Sequence, residues 1–548
     1  MGVHGHAVGV DFGTSTSLVA ARAGRLPVEV VPLGRTTRSF PSIAGFRGEQ
    51  LLVGEDTDDL SGDAVIRSAK RAITQNLETL SVAGRRIPAD EVITALLAEI
   101  GRRAEAVDQP LSMARDLRLG CPAMWDGAQR QRLLGLAEKA GFPIDETTLV
   151  DEPIAAGIAW VMNRSLFYGE RLEGRLLVFD MGGGTLDIAV LDVLSDGPGT
   201  EPEISVLSAL GAELAGDKLD QAIAGDLTSD LAAQGHSSSS ARRPELFTAL
   251  VLRAARDAKI ALSQRAEHRI MLPSRQLGQL PMLTYTREKL EEAFRPQMDI
   301  AEALVWAALR ASRLTVRDNR SAADLRVLTP EALRGDVDYV LLAGGMSRIP
   351  YVERRLGALF PGAQVFDNAG VQPDEAIVAG LADTISYRRL NLHRPGFDFI
   401  IEWEEGGQLR QEILYPAHTP FYSPQQVLSG QSDLGFARHD RDFPGPRSGS
   451  GRLRVRSTSG EYLGLAVDNQ TMDGLVVRFG NRMDFKLYCD GRILIRDGSG
   501  RALHMRVDRW PVIRGRDSGR LQLRSAVDRE PIVPTGWYMD KEYAPPIR

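Results

Sequence analysis

Cysteine is nearly absent from the 548 residues: Cys121 and Cys489 are the two thiols, 368 positions apart. A disulfide framework and a thiolate zinc cluster are both excluded, and a reducing cytoplasm is the compartment that fits. Long hydrophobic runs are missing too. Residues 1–17 hold no basic segment followed by an apolar one, and nowhere do 18 uncharged apolar residues follow one another, so secretion and membrane spanning are not expected. Excess positive charge is also lacking, since the formal net charge of -6 opposes a global field for nucleic acid. Lysine is scarce, at seven of 66 basic residues, a skew that reflects codon usage.

What is present is an ordinary globular balance, 43% hydrophobic and 25% charged, over a length that suits three or four folding units of roughly 150 residues each. Up to about residue 385 strand-like runs alternate with amphipathic stretches, which predicts an α/β layer architecture. Strands are expected at 7–10, 117–120, 176–179, 188–191 and 339–343, and helices at 89–103, 128–140, 246–263 and 351–359. The stretch GHSSSSARR at 235–243 reads as a polar loop tip between two helices. Beyond about residue 395 helical spacing gives way to short alternating runs punctuated by Gly, Pro and Asp, predicting an all-β domain. The organisation expected is therefore an α/β domain over 1–387, a polar, basic linker over 388–395 and a β-rich domain over 396–548.

Two runs in the first part share one design. VGVDFGTSTS at 8–17 and LVFDMGGGTLD at 177–187 each put an Asp at a strand end, then glycine and hydroxyl residues in a tight turn. Taken singly, each reads as a glycine hairpin between antiparallel strands. Their Asp residues, Asp11 and Asp180, lie 169 positions apart in matching context, and the pair reads as two related half-domains gripping a polyphosphate from both sides. Gly13 lets the backbone approach closely, Thr14 and Ser15 add donors, and Asp11 can hold a cation through water. Asp180 with Gly182, Gly183, Gly184, Thr185 and Asp187 repeats those parts.

These runs, with VDEPIAAGIAW at 150–160, AGDKLD at 215–220, AKIALS at 258–263, LLAGGMSRIP at 341–350 and QPDEAIVAGLA at 372–382, resemble the nucleotide-binding domain of the heat-shock protein 70, or DnaK-type, chaperone family. The resemblance covers most of residues 7–385. It implies an actin-like, ribonuclease H-like duplicated ATPase fold that binds ATP or ADP with magnesium. Asp11, Glu152 and Asp180 match acidic groups that hold magnesium through its waters, and Thr185 matches a hydroxyl near the γ-phosphate. Lys70, in SAKRAI, matches the catalytic lysine; without the resemblance it reads as a solvated helix residue. Gly344, Gly345, Ser347 and Arg348 match the adenosine turn, and Gly216, Lys259, Ser263 and Asp374 match further nucleotide contacts, with helix-surface polarity as the plainer reading of Lys259. Pro122 and Arg130 match a proline and arginine that relay nucleotide state to the substrate domain; a simple turn proline stays open for Pro122.

The chain departs from the family at Met346 for a serine in the adenosine turn, at Arg256 for a glutamate facing the nucleoside, and at Leu134 for a basic relay residue. The segment between Arg71 and Pro88 is short, trimming the upper first lobe, and RRLNLHR stands where the family has an acidic-flanked leucine run. FIIEWEEGGQLRQEILYPAHTPFYS at 399–423 resembles the first hairpin of the family's β-sandwich substrate domain and FKLYCDGRILIRDGSG at 485–500 its last strands. Leu409, Leu434 and Phe436 fall where substrate-contacting apolar groups would lie, ordinary sandwich core being the alternative. The proline-broken ending reads as lacking a helical lid. The resemblance thus implies an ATP-hydrolysing chaperone that holds an unfolded peptide or a dedicated protein client, with co-chaperones possible and neither nucleic acid nor membrane as partner. A small-molecule kinase on the same fold and a nucleotide-gated scaffold with little turnover are the alternatives.

Overall fold

The computed structural model describes residues 6–24, 26–60, 64–145, 148–236, 243–273, 277, 280–313, 328–367, 370, 372–383, 388–389, 394–421, 435–458, 460–488, 491–509 and 520–525. Leu434, Cys489, the centre of the 235–243 loop and the chain after residue 525 lie outside them.

The first lobe is built on β1 (His6–Phe12), β2 (Thr16–Ala23), β3 (Glu29–Val31), β4 (Asp116–Cys121) and β5 (Leu149–Asp151), in the order β5-β4-β1-β2-β3. Strands β1, β4 and β5 run parallel, while β1, β2 and β3 form an antiparallel meander. Helices α1 (Ala89–Ala106), α2 (Gly127–Lys139) and α3 (Glu152–Met162) follow from apolar spacing of three and four. Between Arg71 and Pro88, where the sequence is short, Thr79–Val82 and Arg85–Pro88 pair as a small hairpin.

The second lobe uses β6 (Leu172–Met181), β7 (Leu186–Ser195), β8 (Glu203–Ala212), β9 (Tyr339–Ala343), β10 (Gln364–Phe366) and β11 (Arg388–Arg389), in the order β10-β9-β6-β7-β8-β11. Again the first three strands form an antiparallel meander and two later strands add in parallel beside the first. The strands expected at 176–179 and 188–191 are each ten residues long. Helices α4 (Gly216–Ala233), α5 (Pro244–Gln264) and α6 (Arg287–Arg313) cover this sheet, burying Leu219, Ile223, Val251, Phe294 and Leu304 against it. A short helix, α7 (Ala376–Leu381), crosses α3 at the base of the two lobes, where a Cβ on Gly380 would run into the Ala155 carbonyl.

The third region is a sheet of β12 (Phe397–Glu405), β13 (Gln408–Tyr415), β14 (Gly435–His439), β15 (Ser450–Ser457), β16 (Tyr462–Val467), β17 (Asp484–Tyr488), β18 (Arg492–Arg496), β19 (Ala502–Arg509) and β20 (Arg520–Ser525). Their order is β13-β12-β15-β16-β20-β19-β18-β17-β14. Alternation turns Phe399, Ile401, Leu453, Val455, Phe485 and Leu487 into one core. Two short strands, Gln470–Met472 and Leu475–Arg478, side-pair with β16 and β15.

The linker expected at 388–395 is partly structured. Arg388 and Arg389 pair in parallel with Ser205 and Val206 at the edge of the second lobe. Arg394 is buried: its guanidinium donates to the carbonyls of His418, Ala123 and Trp125. Gly127 N also donates to Ala417 O at 2.7 Å, so the β-rich region rests on the 122–127 turn of the first lobe.

Candidate nucleotide site

The two glycine turns are both of the things the sequence allowed. Phe12 pairs with Ser17 and Met181 with Leu186, so each turn closes an antiparallel hairpin. The hairpin tips also face each other. A Cβ on Gly183 would stand 2.7 Å from Ser15 Oγ and one on Gly184 2.9 Å from Thr14 Oγ1, a separation only glycine allows. Gly13 is constrained from behind by the Thr16 carbonyl.

Between the tips and the lobes lies a cleft of about 490 Å³. It is lined by Asp11, Gly13, Thr14, Ser15, Lys70, Glu152, Asp180, Gly182, Gly183 and Thr185, together with Lys259, Ser263, Gly344, Gly345, Arg348 and Asp374. Four of the expected residues support this lining from behind. Gly184 packs on Thr14, and Gly216 lies beneath Lys259 Nζ, which donates to its carbonyl at 3.2 Å. Ser347 is turned inward, its hydroxyl bonded to Ala343 O, and Arg130 is buried below β4. Gly344 takes a φ of +77°, which tucks the 344–348 turn against Asp180.

Lys70 is no solvated helix lysine. It sits at the start of the four-residue helix Arg71–Thr74, 4% exposed, with its ammonium on Glu152 Oε1 and 5.6 Å from the centre of the Trp125 ring. Glu152 opens α3, with Pro153 in the first turn, so the helix N-terminus favours its negative charge. Around this pair stand Asp11, Asp180 and Asp187, all buried. Burial and the Glu152 charge push Asp11 up to about 7, against the pull of Lys70. The same two causes lift Asp187 to about 7 and Asp180 well above the carboxylate range. For Lys70 burial works the other way, but the Glu152 and Asp11 charges outweigh it and hold the ammonium above its usual value. Asp180 Oδ2 is buried with no hydrogen-bond partner among the described residues.

Lys259 is held between Asp220 Oδ1 at 2.8 Å and Gly216 O, and burial lowers it despite the Asp220 charge. Arg348 pairs with Asp374 at the rim of the cleft. Arg130 donates to Cys121 Sγ and Trp125 O, both at 3.0 Å, and pairs with Asp151 at 2.6 Å. With Pro122 it fixes the turn that carries Trp125 on its inner side and Ala417 on its outer side.

In the β-rich region the expected residues do not converge. Leu409 is 69% exposed near the start of β13, whereas Phe436 packs edge-on against Tyr415 at that strand's end, 5.0 Å between ring centres. Six residues of strand, roughly 20 Å, separate those two places.

Motif reading missed Trp125, and it placed Asp187 in the second phosphate run without its link to the first lobe. Asp187 accepts from Ala123 N at 2.7 Å and so ties the second hairpin to the 122–127 turn. Its position in the FDMGGGTLD run was the available signal; Trp125 carried none, because its contact with Lys70 joins distant segments. Among the described residues no helix is long and apolar enough to cross a membrane.

Comparison with known proteins adds the following. The family model described as Hsp70 protein matches residues 74–385. Chaperone protein DnaK of Thermosipho africanus is 30% identical over 477 residues, 85% of this chain and 71% of that protein. Its counterpart in Thermosipho melanesiensis is 30% identical over 480 residues, covering 85% and 72%. Chaperone protein DnaK of Thermotoga neapolitana is 28% identical over 389 residues, covering 68% and 58%.

Proposed function

The chain belongs to the Hsp70 family, and from that premise we propose how its own residues divide the work of an ATP-dependent chaperone. The protein is an ATPase of that family, with an actin-like domain that binds ATP or ADP followed by a β-sandwich domain for substrate. The recurrence of one strand order in both lobes supports reading the first domain as the duplicated, ribonuclease H-like form.

The observation that carries the assignment is the pair of glycine hairpins in contact over a buried Lys70–Glu152 ion pair. The polyphosphate is assigned to the hairpin tips, where the backbone N–H groups of residues 13–15 and 183–185 can cradle it, that of Gly182 being spent on the Thr185 carbonyl. The nucleoside is assigned to the end formed by Lys259, Ser263, Gly344, Gly345, Arg348 and Asp374.

The residues fit a magnesium ion. Asp11, Glu152 and Asp180 are hard oxygen donors crowded round one ammonium, and Asp180 Oδ2 is an orphaned buried acceptor. Among the described residues no three acidic, His or Cys groups close directly on one point, so these carboxylates would hold the ion through its water shell. When bound there, magnesium neutralises charge on the phosphate oxygens. Lys70 would do the same for charge that develops as the terminal phosphoryl group departs, an ammonium fixed in a buried setting where its field is little screened. Glu152 holds that ammonium in place, and Trp125 backs it.

Unfolded peptide or a dedicated protein client is assigned to the β-rich domain, and the Pro122–Arg130 turn on which that domain rests is assigned the passage of nucleotide state. The test is steady-state ATP hydrolysis by the full chain with and without an unfolded-peptide library. Magnesium-dependent turnover that rises with peptide is the expected result; turnover only with an added metabolite would overturn the assignment in favour of a kinase.

A further inference from the structure

Arg256 lines two cavities. One is the nucleotide cleft; the other, of about 500 Å³, lies between the upper parts of the lobes. Arg67 and Arg71 reach the second chamber from the first lobe, and Arg253 and Arg256 from α5. Two of the four are matched. Asp217 pairs with Arg71 at 3.6 Å and with Arg256 at 3.4 Å. Arg67 and Arg253, both at the solvent-exposed rim of the chamber, make no hydrogen bond or ion pair with any described residue. Burial and the like charges of Arg256 and Arg253 hold the Arg67 guanidinium below its usual range, with Asp257 in partial opposition.

The chamber's place relative to the nucleotide follows from α5, and here the inference rests on the assignment of the cleft. Ser263 and Lys259 face the nucleoside end, and Arg256 lies one turn further back, its Nη2 3.3 Å from Ser15 Oγ on the phosphate turn. Arg256 thus stands between base and polyphosphate, at the sugar edge. A carboxylate at this position would repel an anion; a guanidinium attracts one. Asp58, Asp217, Asp220 and Asp257 line the chamber as well, and Asp217 and Asp220 already pair with Arg71 and Arg256, so Arg67 and Arg253 are the guanidiniums left to meet an anion; their planar forks match phosphate oxygens two at a time.

We propose that this second chamber is a binding site for a phosphate dianion beside the sugar of the bound nucleotide, with Arg67 and Arg253 as the ligands it does not share with the cleft. The dianion is either free orthophosphate or an additional phosphate carried on the sugar of the nucleotide itself.

The test uses the full chain and the Arg67→Gln/Arg253→Gln double variant. Inorganic phosphate is titrated by calorimetry into protein saturated with magnesium and ADP, and adenosine 3′-phosphate 5′-diphosphate is compared with ADP. The expected result is that at least one probe gains from the chamber in the wild type, by binding outright or by exceeding ADP. That gain falls about tenfold or more in the double variant, the worth of one or two charge-assisted bonds, with ADP affinity kept within about twofold. Orthophosphate binding identifies the free ion; a gain confined to the 3′-phosphorylated nucleotide identifies the carried group. If ADP binds normally and neither probe gains, or the gain is equal in the double variant, the chamber is no phosphate site. Absence of ADP binding by the wild type would instead overturn the cleft assignment, so the two failures are separately visible.

Discussion

Lys70 sets one ammonium against Glu152, Asp11, Asp180 and Asp187, all of them buried at the floor of the cleft. Its assigned work is on charge that appears only as the phosphoryl group transfers, so Lys70→Ala should lower turnover by about two to three orders of magnitude while ATP affinity stays within a few-fold. Single-turnover hydrolysis and equilibrium ATP titration read the two quantities separately; equal turnover in variant and wild type would remove the lysine from the mechanism. Asp180→Asn should differ in kind, weakening magnesium-dependent nucleotide binding as well. The carboxylates also set a pH dependence. Asp11 and Asp187 are raised to about 7 in the cation-free cleft, by burial first and the Glu152 charge second. An unfolded aspartate ionises near 3.9, so between about pH 4 and 7 the folded chain holds more protons than the unfolded one. Their contribution to stability is therefore present at low pH and is lost as pH rises through about 7. Cation-free protein should melt at a lower temperature at pH 8 than at pH 6, and magnesium with ADP should raise Tm more at pH 8, where the carboxylates are ionised; a Tm gain independent of pH would contradict this. The residues at the hairpin tips were legible in the sequence because glycine, hydroxyl and Asp recur there in fixed order. The burial of Lys70 was not, since it depends on Trp125 and Glu152, which lie 55 and 82 positions away.

At the scale of elements, apolar spacing carried most of the information. The helix expected at 246–263 spans Pro244–Gln264, that at 351–359 spans Pro350–Leu359, and that at 128–140 spans Gly127–Lys139 with a capping box from Asp126 and Gln129. Strand length was less legible. Leu172–Met181 and Leu186–Ser195 extend past their apolar centres because Glu173 and Asp192 continue the ladder at the sheet's end, where pairing rather than burial decides. Nor did spacing reveal the crossing of α3 and α7, although the small residues of AAG and VAG that permit it are in plain view. Gly380 is the point of closest approach, with the Ala155 carbonyl where a Cβ would be. Gly380→Val should force the two lobes apart at their base and cost about 1–3 kcal/mol, the usual scale of overpacking. Urea unfolding of the full chain checks this; an unchanged midpoint would mean that the crossing yields freely.

At the scale of the molecule, the question is how the β-rich domain senses the cleft. The sequence marked 388–395 as a polar, basic linker, and for a segment read alone that is the natural conclusion, because nothing in RRLNLHRPG is apolar enough to call for burial. The structure buries Arg394 all the same. Its guanidinium bonds to Ala123 and Trp125 on the first lobe and to His418 on the β-rich domain. From that point the contacts run inward: Ala123 N bonds Asp187 at 2.7 Å, and the Trp125 ring lies against Lys70. A domain that shifts on binding peptide would pull on Arg394 and so on the turn that positions the lysine. Arg394→Met keeps an unbranched apolar stem and removes the donors. Basal hydrolysis should stay within about twofold, since no assigned nucleotide contact is touched, whereas stimulation by peptide should fall toward none as the turn loses its three-carbonyl clamp. Peptide affinity measured in the absence of nucleotide separates coupling from simple loss of the domain: it should match the wild type. Full stimulation in Arg394→Met would show that the signal crosses elsewhere, with the Gly127–Ala417 backbone bond, which the substitution leaves in place, as the next contact to break.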